Sequence, residues 1–203
     1  DFTIGVSRII GEYYLPNHTS LFGKEQNIRL HLLVENTEQL SAFLYQKKID
    51  FALISGPVKS NDFEKLPFFE DEILLICAPE HPLSGKTVDY GQLSEQHLLL
   101  REQGSGVSDT VEKYLYQENH SLDTFHKVSR IGNIQLMKSY IKNNDGIGFL
   151  YRLSVEEELK EGSLSIITLK NFSMKQAYYL TYLKQSKKQR DIDAVLTTFF
   201  ATS

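Results

Sequence analysis

Apolar and polar positions alternate from Ile28 to Glu35. Ile28, Leu30, Leu32 and Val34 share one face and Arg29, His31 and Glu35 the other, the period-two pattern of a strand. The period then changes. Asn36-Thr37-Glu38-Gln39 has the form of a helix start, in which Asn36 caps the first free amides and Gln39 reaches back; Leu40, Phe43 and Leu44 follow as a buried stripe. Phe51-Ala52-Leu53-Ile54 is a nearly continuous apolar run, which suits a central parallel strand covered on both faces. A right-handed crossover would set it beside another strand, so the stretch from Ile28 to Pro57 is predicted to be one strand-helix-strand unit. Open parallel sheets bind ligands at their strand ends, which makes the residues there the ones to follow.

The same alternation organises the rest of the chain. A first strand, Phe2-Thr3-Ile4-Gly5-Val6, ends at Ser7, and a helical segment follows through Ile10, Tyr13, Tyr14 and Leu15, with Pro16 early in it or at a kink. Lys59 to Lys65 reads as a polar loop. Glu72 to Ala78 reads as a strand that stops at Pro79-Glu80-His81-Pro82, a first candidate crossing between domains. In the second half, strand Leu98-Leu99-Leu100 leads through a glycine-rich turn at Gln103 to Gly106 into a helix carrying Val111, Tyr114 and Leu115. Strand Phe125 to Ile131 leads into a helix with Ile134, Met137 and Ile141 at helical spacing, then into strand Ile147-Gly148-Phe149-Leu150. Ser154 to Leu159 is a short helix, Leu164-Ser165-Ile166-Ile167 a further strand, and Ala177 to Tyr182 the strand that returns the chain to the first domain. Ile192, Val195, Leu196 and Phe199 give a last helix its apolar stripe. No short-period repeat is present.

Composition narrows the function. A chain of 203 residues, 41% of them hydrophobic, can form one large domain or two small ones, and two is the preferred reading. A formal net charge of -4 argues against a nucleic-acid surface built from this chain alone, and the one basic run, Lys184 to Arg190, reads as a solvated turn. The single cysteine, Cys77, lies in an apolar strand, can form no internal disulfide and fits a reduced cytoplasmic setting. No run approaches the ~18 apolar residues of a membrane span, and the chain opens directly on a strand without a signal-peptide pattern, as an excised fragment would. The six histidines show none of the close pairings of zinc sites, so no metal and no cofactor is expected.

Several segments together resemble the effector-binding domain of LysR-type transcriptional regulators, and within them the CysL-like branch allied to regulators of sulfur and cysteine metabolism. They are Ile4-Gly5-Val6-Ser7 leading to Ile10-Gly11-Glu12-Tyr13-Tyr14-Leu15-Pro16; Glu35-Asn36-Thr37 before a helix and then Ile49-Asp50-Phe51-Ala52-Leu53; Glu80-His81-Pro82-Leu83; Leu100-Arg101-Glu102-Gln103-Gly104-Ser105-Gly106; and Asp145-Gly146-Ile147-Gly148-Phe149-Leu150. Each is weak alone, but their order and spacing are specific and span essentially the whole chain. The resemblance implies an α/β, two-lobed periplasmic-binding-protein-like (type 2) fold. It would have two Rossmann-like subdomains, 1–74 plus 178–203 and 75–177, joined by two crossing strands, with a small molecule in the interlobe cleft. It also implies a helix-turn-helix domain preceding this region and absent from this chain, so that DNA is reached only through that domain. Self-association to a homodimer or tetramer is implied too, with Ile28 to Lys47 as part of the surface, and no membrane partner.

The same resemblance sharpens the site residues. Ser7, between strand and helix, can offer its hydroxyl and nearby amides to an anionic group, or can simply cap. Gly104-Ser105-Gly106 lets backbone approach a bound group, with Ser105 as donor. Ser55, at the end of the central strand, and Asn133, a donor and helix cap, complete the candidate effector set. The chain departs from the usual Gly-Ser-Gly-Thr-Arg by placing Val107-Ser108, which removes a guanidinium at Ser108, and from the usual later Gly-Ser-Thr by placing Gly132-Asn133-Ile134. The cleft is therefore expected to be less polar than in sulfate-type relatives, with a sulfur metabolite or small anion as the effector class. Arg8 and Arg101 could add positive charge or serve as ion pairs. Gly5-Val6-Ser7-Arg8-Ile9 imitates the start of a nucleophile elbow, but the closing glycine is missing and no histidine can be placed beside Ser7, so no enzyme is expected. The tyrosines at 13, 14, 178, 179 and 182 lack interleaved basic residues and read as packing rather than as a stacking platform. The alternative reading is an extracytoplasmic solute-binding protein of a transporter.

Overall fold

A computed structural model describes residues 2–18, 30–56, 58 and 60–184. Ile28 and Arg29, Pro57, the basic run beyond Lys184 and the last apolar stripe at Ile192 to Phe199 lie outside the described residues. The chain divides into two compact units, one made of the residues up to Glu70 together with those from Ala177 onward, the other of Asp71–Gln176. It passes from one to the other within two strands, β4 (Phe63–Cys77) and β10 (Met174–Leu183).

In the first unit β1 (Phe2–Ser7) lies between β2 (Leu30–Glu35) and β3 (Phe51–Ser55), parallel to both, and β10 adds antiparallel to β3. Helix α1 (Thr37–Tyr45) links β2 to β3, as the change of period predicts, and the Asn36 side chain accepts from the Gln39 amide at 2.9 Å. Leu40 and Leu44 from its stripe pack with Ile49, Ala52, Ile54 and Phe63 in a buried cluster, with Phe43 at its margin. Every residue of β3 is buried, as its unbroken apolar run requires, although one of its neighbours is antiparallel.

Three segments differ from their sequence reading. The alternation in β2 does not mark a core face: Leu32 and Val34 are 48% and 44% exposed, and Leu33 is exposed as well. The reason is position, since β2 is the edge strand of this unit. After β1 the chain forms not a regular helix but a wide π-helical turn, Ile10–Tyr14, followed by a tight 3-10 turn, Leu15–Asn17, with Pro16 in its opening positions. Pro16 has no amide to donate, and the Leu15 amide reaches back to the Ile10 carbonyl instead. Finally, the stretch read as a polar loop already enters β4 at Phe63, whose buried ring ties it to the α1 cluster despite Pro67 further along.

In the second unit β6 (His97–Arg101) runs parallel to β7 (Lys127–Ile131) on one side and to β8 (Ile147–Tyr151) on the other, and β8 is antiparallel to β4. Strand β9 (Ser165–Leu169) is antiparallel to β4 and carries the two-residue β5 (Thr87–Val88) alongside it. Four helices follow in chain order: α2 (Tyr90–Ser94), α3 (Gly106–Gln117), α4 (Ile134–Lys142) and α5 (Arg152–Glu161). Val111 and Leu115 of α3 and Ile134, Met137 and Ile141 of α4 are buried at the predicted spacing.

Between α4 and α5 the buried Lys138 ammonium meets the Glu158 carboxylate at 2.6 Å and donates to the Ser154 carbonyl at 2.8 Å. Burial raises the Glu158 pKa, but the hydrogen bond and charge of Lys138, with Lys142, outweigh it and hold the carboxyl below its ordinary value. A depressed carboxyl contributes stability above its unfolded pKa and loses that contribution as pH falls through its folded pKa. Lys138→Met, which leaves that carboxylate without its main partner, is expected to destabilise the protein by about 3 kcal/mol near neutral pH. In urea denaturation the difference from wild type should shrink as the pH is lowered through the carboxylate range.

Candidate functional site

Parallel pairing brings the C-terminal ends of β1, β2 and β3 to one edge of the first unit, so Ser7 lies opposite Glu35 and near Ser55. Ser7 is 3% exposed, and its hydroxyl has no hydrogen-bond partner among the described residues. An unmade bond at a buried hydroxyl costs about 1–3 kcal/mol, so such an atom is unusual in a settled core. Ser55 is equally buried; its carbonyl accepts from the Thr37 hydroxyl at 2.8 Å, which pins the strand end to the first residue of α1. Thr37 was not singled out by sequence, although its place directly after the cap Asn36 is the signal that could have found it. Arg8 faces Glu35 at 3.7 Å.

In the second unit the matching edge collects the ends of β6, β7 and β8 with the starts of α3, α4 and α5. Gly104 has φ +81, a left-handed conformation that side chains resist, and it turns the chain directly into the helix start. Ser105 is the N-cap of α3, its hydroxyl accepting from the Ser108 amide at 3.3 Å, while Gly106 is the first, buried, helical residue. Asn133 caps α4 by accepting from the Leu136 amide at 2.8 Å. The hydroxyls and amides predicted as effector donors thus fall into two sets. Ser105 and Asn133 hold their helices, whereas the Ser7 hydroxyl holds nothing among the described residues.

Charge in the second set is internally balanced. Arg101 is 3% exposed; its Nε and Nη2 both face Glu102 Oε2, at 3.0 and 2.8 Å, and Nη2 also donates to the Gly132 carbonyl at 3.2 Å. This places Arg101 as a structural ion pair, one of the two roles open to it from sequence. Ser108, where the resemblance would place an arginine, is 1% exposed and donates to the Arg101 carbonyl at 2.8 Å. Val107 and Ile134 are buried. Glu102, adjacent to Arg101, belongs to the Leu100 to Gly106 motif of the resemblance, but is assigned no role from sequence. Cys77 is buried, and burial pushes its thiol up to about 11. Among the described residues no cluster could hold a metal ion, and no helix is long and apolar enough to cross a membrane.

An α/β chain in which polar groups gather at the ends of parallel strands in each of two units has the plan of a small-molecule-binding domain. Residues 1–201 match the family described as LysR substrate binding domain, and the chain belongs to that family. Among curated relatives, it is 28% identical over 196 residues to the HTH-type transcriptional regulator CysL of Bacillus subtilis, covering 95% of this chain and 64% of that protein. It is 29% identical over 167 residues to the uncharacterized HTH-type transcriptional regulator YeiE of Escherichia coli, covering 82% of this chain and 56% of that protein. The chain therefore spans less than two thirds of the length of these relatives. In fold it is similar to the regulatory domain of Synechocystis CcmR in complex with 2-PG, with a TM-score of 0.82 and 21% identity over 98% of this chain and 97% of that one. It is also similar to the effector-binding domain of QuiR in complex with shikimate, with a TM-score of 0.81 and 16% identity over 99% and 95%. These are type 2 periplasmic-binding-protein-like domains of regulators, and the transporter reading finds no support among them.

The two sets of hydroxyls separate in a stability measurement. Ser105→Ala removes a helix cap and is expected to cost about 1 kcal/mol. Ser7→Ala removes a hydroxyl with no described partner and is expected to leave stability unchanged or slightly raised. Urea denaturation midpoints of the two variants beside wild type check both.

Proposed function

We propose that this chain is the effector-sensing part of a LysR-type bacterial transcription regulator. In this reading a small polar metabolite or anion is recognised by Ser7 and Ser55 in the first unit and by the 104–106 turn and Asn133 in the second. The single observation that carries it is the buried Ser7 hydroxyl without a described partner, placed where parallel strands end. The relatives named as regulators and the fold neighbours in complex with 2-PG and shikimate support it. Ser105 and Asn133 accept from helix amides as caps, so their own O–H and N–H groups can still donate to a ligand, and the Gly104 conformation allows backbone to approach it without a side chain between them. Arg101 is neutralised by Glu102, so the recognition would rest on hydrogen bonds more than on net charge.

An effector changes the output only if it binds one state of the regulator more tightly than another. In this reading the whole protein is cytoplasmic, reaches DNA through a helix-turn-helix domain outside this chain, and acts as no enzyme. Small anions, sulfur metabolites and O-acetylserine-like compounds are expected to include at least one that raises the melting temperature. By calorimetry, Ser7→Ala should weaken binding of that compound by about 1 kcal/mol. A folded protein that binds none of them, or a Ser7→Ala variant that binds as wild type does, removes the reading.

The exposed β2 edge, with Leu32, Leu33 and Val34, is the proposed self-association surface of the dimer or tetramer. Leu32→Asp is expected to shift the protein toward monomer in sedimentation velocity without lowering its melting temperature. An unchanged distribution would place the interface elsewhere.

A further inference from the structure

A cavity of about 170 Å³ in the second unit is lined by Asp89, Tyr90, Tyr114, Glu118, His120, Leu169, Lys170 and Asn171, and by none of the effector candidates. Helix α3 separates it from Ser105: the serine caps the start of the helix and Glu118 caps its end, and twelve helical residues span about 18 Å. Both aromatic walls are fixed. The Tyr90 ring stacks on His120 at 3.4 Å and 3°, while its hydroxyl donates to the Ser121 carbonyl at 2.8 Å and shares a 2.6 Å bond with the Thr124 hydroxyl. The Tyr114 ring stands edge-on to Phe172 at 4.9 Å, and its hydroxyl donates to the Asn171 carbonyl at 3.1 Å.

The electrostatics of the lining are uneven. Asp89, which caps α2 by accepting from the Gln92 amide at 3.0 Å, and Glu118 contribute carboxylates, and the C-terminal end of α3 adds the negative pole of its dipole. Burial raises the Tyr114 pKa, and the Glu118 charge adds to it. Lys170 supplies one cation to the lining. Carboxylates beside two ordered tyrosine rings are surroundings that suit an ammonium group, and a lysine in the same lining suits a carboxylate on the same molecule.

We propose that this cavity is a second binding site, for a small zwitterionic ammonium compound of the free amino acid or betaine type. Its ammonium lies against Tyr90 and Tyr114 between Asp89 and Glu118, and its carboxylate turns to Lys170. The site does not depend on the effector reading.

Glycine betaine, tetramethylammonium chloride and sodium acetate, titrated at constant ionic strength into the isotopically labelled chain, test it by amide chemical shifts. Betaine is expected to move the amides of Tyr90, Glu118, His120 and Asn171 saturably, tetramethylammonium to bind more weakly and acetate to move none of them. Glu118→Gln and Asp89→Asn, the latter keeping a capping side chain, should each weaken betaine binding about threefold, while Ser105→Ala should not. The proposal is overturned if betaine gives no saturable shift, if acetate moves the same amides equally, if tetramethylammonium binds as tightly as betaine, or if both carboxylate variants bind as wild type does.

Discussion

Parallel pairing is the constraint on which the rest of this structure depends. A strand parallel to its predecessor can be reached only by a crossover, and helices α1, α3 and α4 carry the chain from β2 to β3, from β6 to β7 and from β7 to β8. Strand ends and helix starts are thereby gathered on one edge of each unit: Ser7, Glu35 and Ser55 in the first, Arg101, Ile131 and Tyr151 in the second. That edge is rich in amides lacking intrahelical partners, and they must be satisfied by something. The chain answers with Asn36, Ser105 and Asn133 as caps, while the Thr37 hydroxyl donates to the Ser55 carbonyl at the neighbouring strand end.

The elements that were legible in the sequence are those whose burial is one-sided or complete. Helices α1, α3 and α4 carry apolar residues at helical spacing behind a capping residue, and β3 and β8 are short apolar runs; each lies where its pattern put it. What escaped depends on partners distant in sequence. The alternation in β2 looks like a buried face but belongs to an edge. The polar start of β4 is strand because Phe63 reaches the α1 cluster, and β5 is strand only because β9 offers it a partner. In the candidate site, hydroxyl-bearing residues at strand ends could be located from sequence. Whether each hydroxyl was consumed by a cap could not, because that depends on the φ and ψ of one residue and on the approach of an amide.

Side-chain charge at the second edge is arranged to cancel. Arg101 lies almost wholly out of water, a costly place for a cation unless a carboxylate and a carbonyl meet it, and Glu102 and Gly132 do so. Ser108 fits this economy. A small hydroxyl bonded to the Arg101 carbonyl occupies a fully buried position, where a second guanidinium would need a further counter-charge. The departure from the resembling motif is thus tied to a local rebalancing and not only to a lost donor.

The lone cysteine has a practical consequence. Enclosed in β4 with its thiol titrating near 11, Cys77 is almost entirely protonated at neutral pH, and the protonated sulfur is a poor nucleophile. Maleimides and iodoacetamides will pass it by while the fold is intact. A cysteine introduced on the surface, at Tyr116 for instance, therefore becomes a unique attachment point for a spin label or fluorophore, and the native sulfur need not be engineered away.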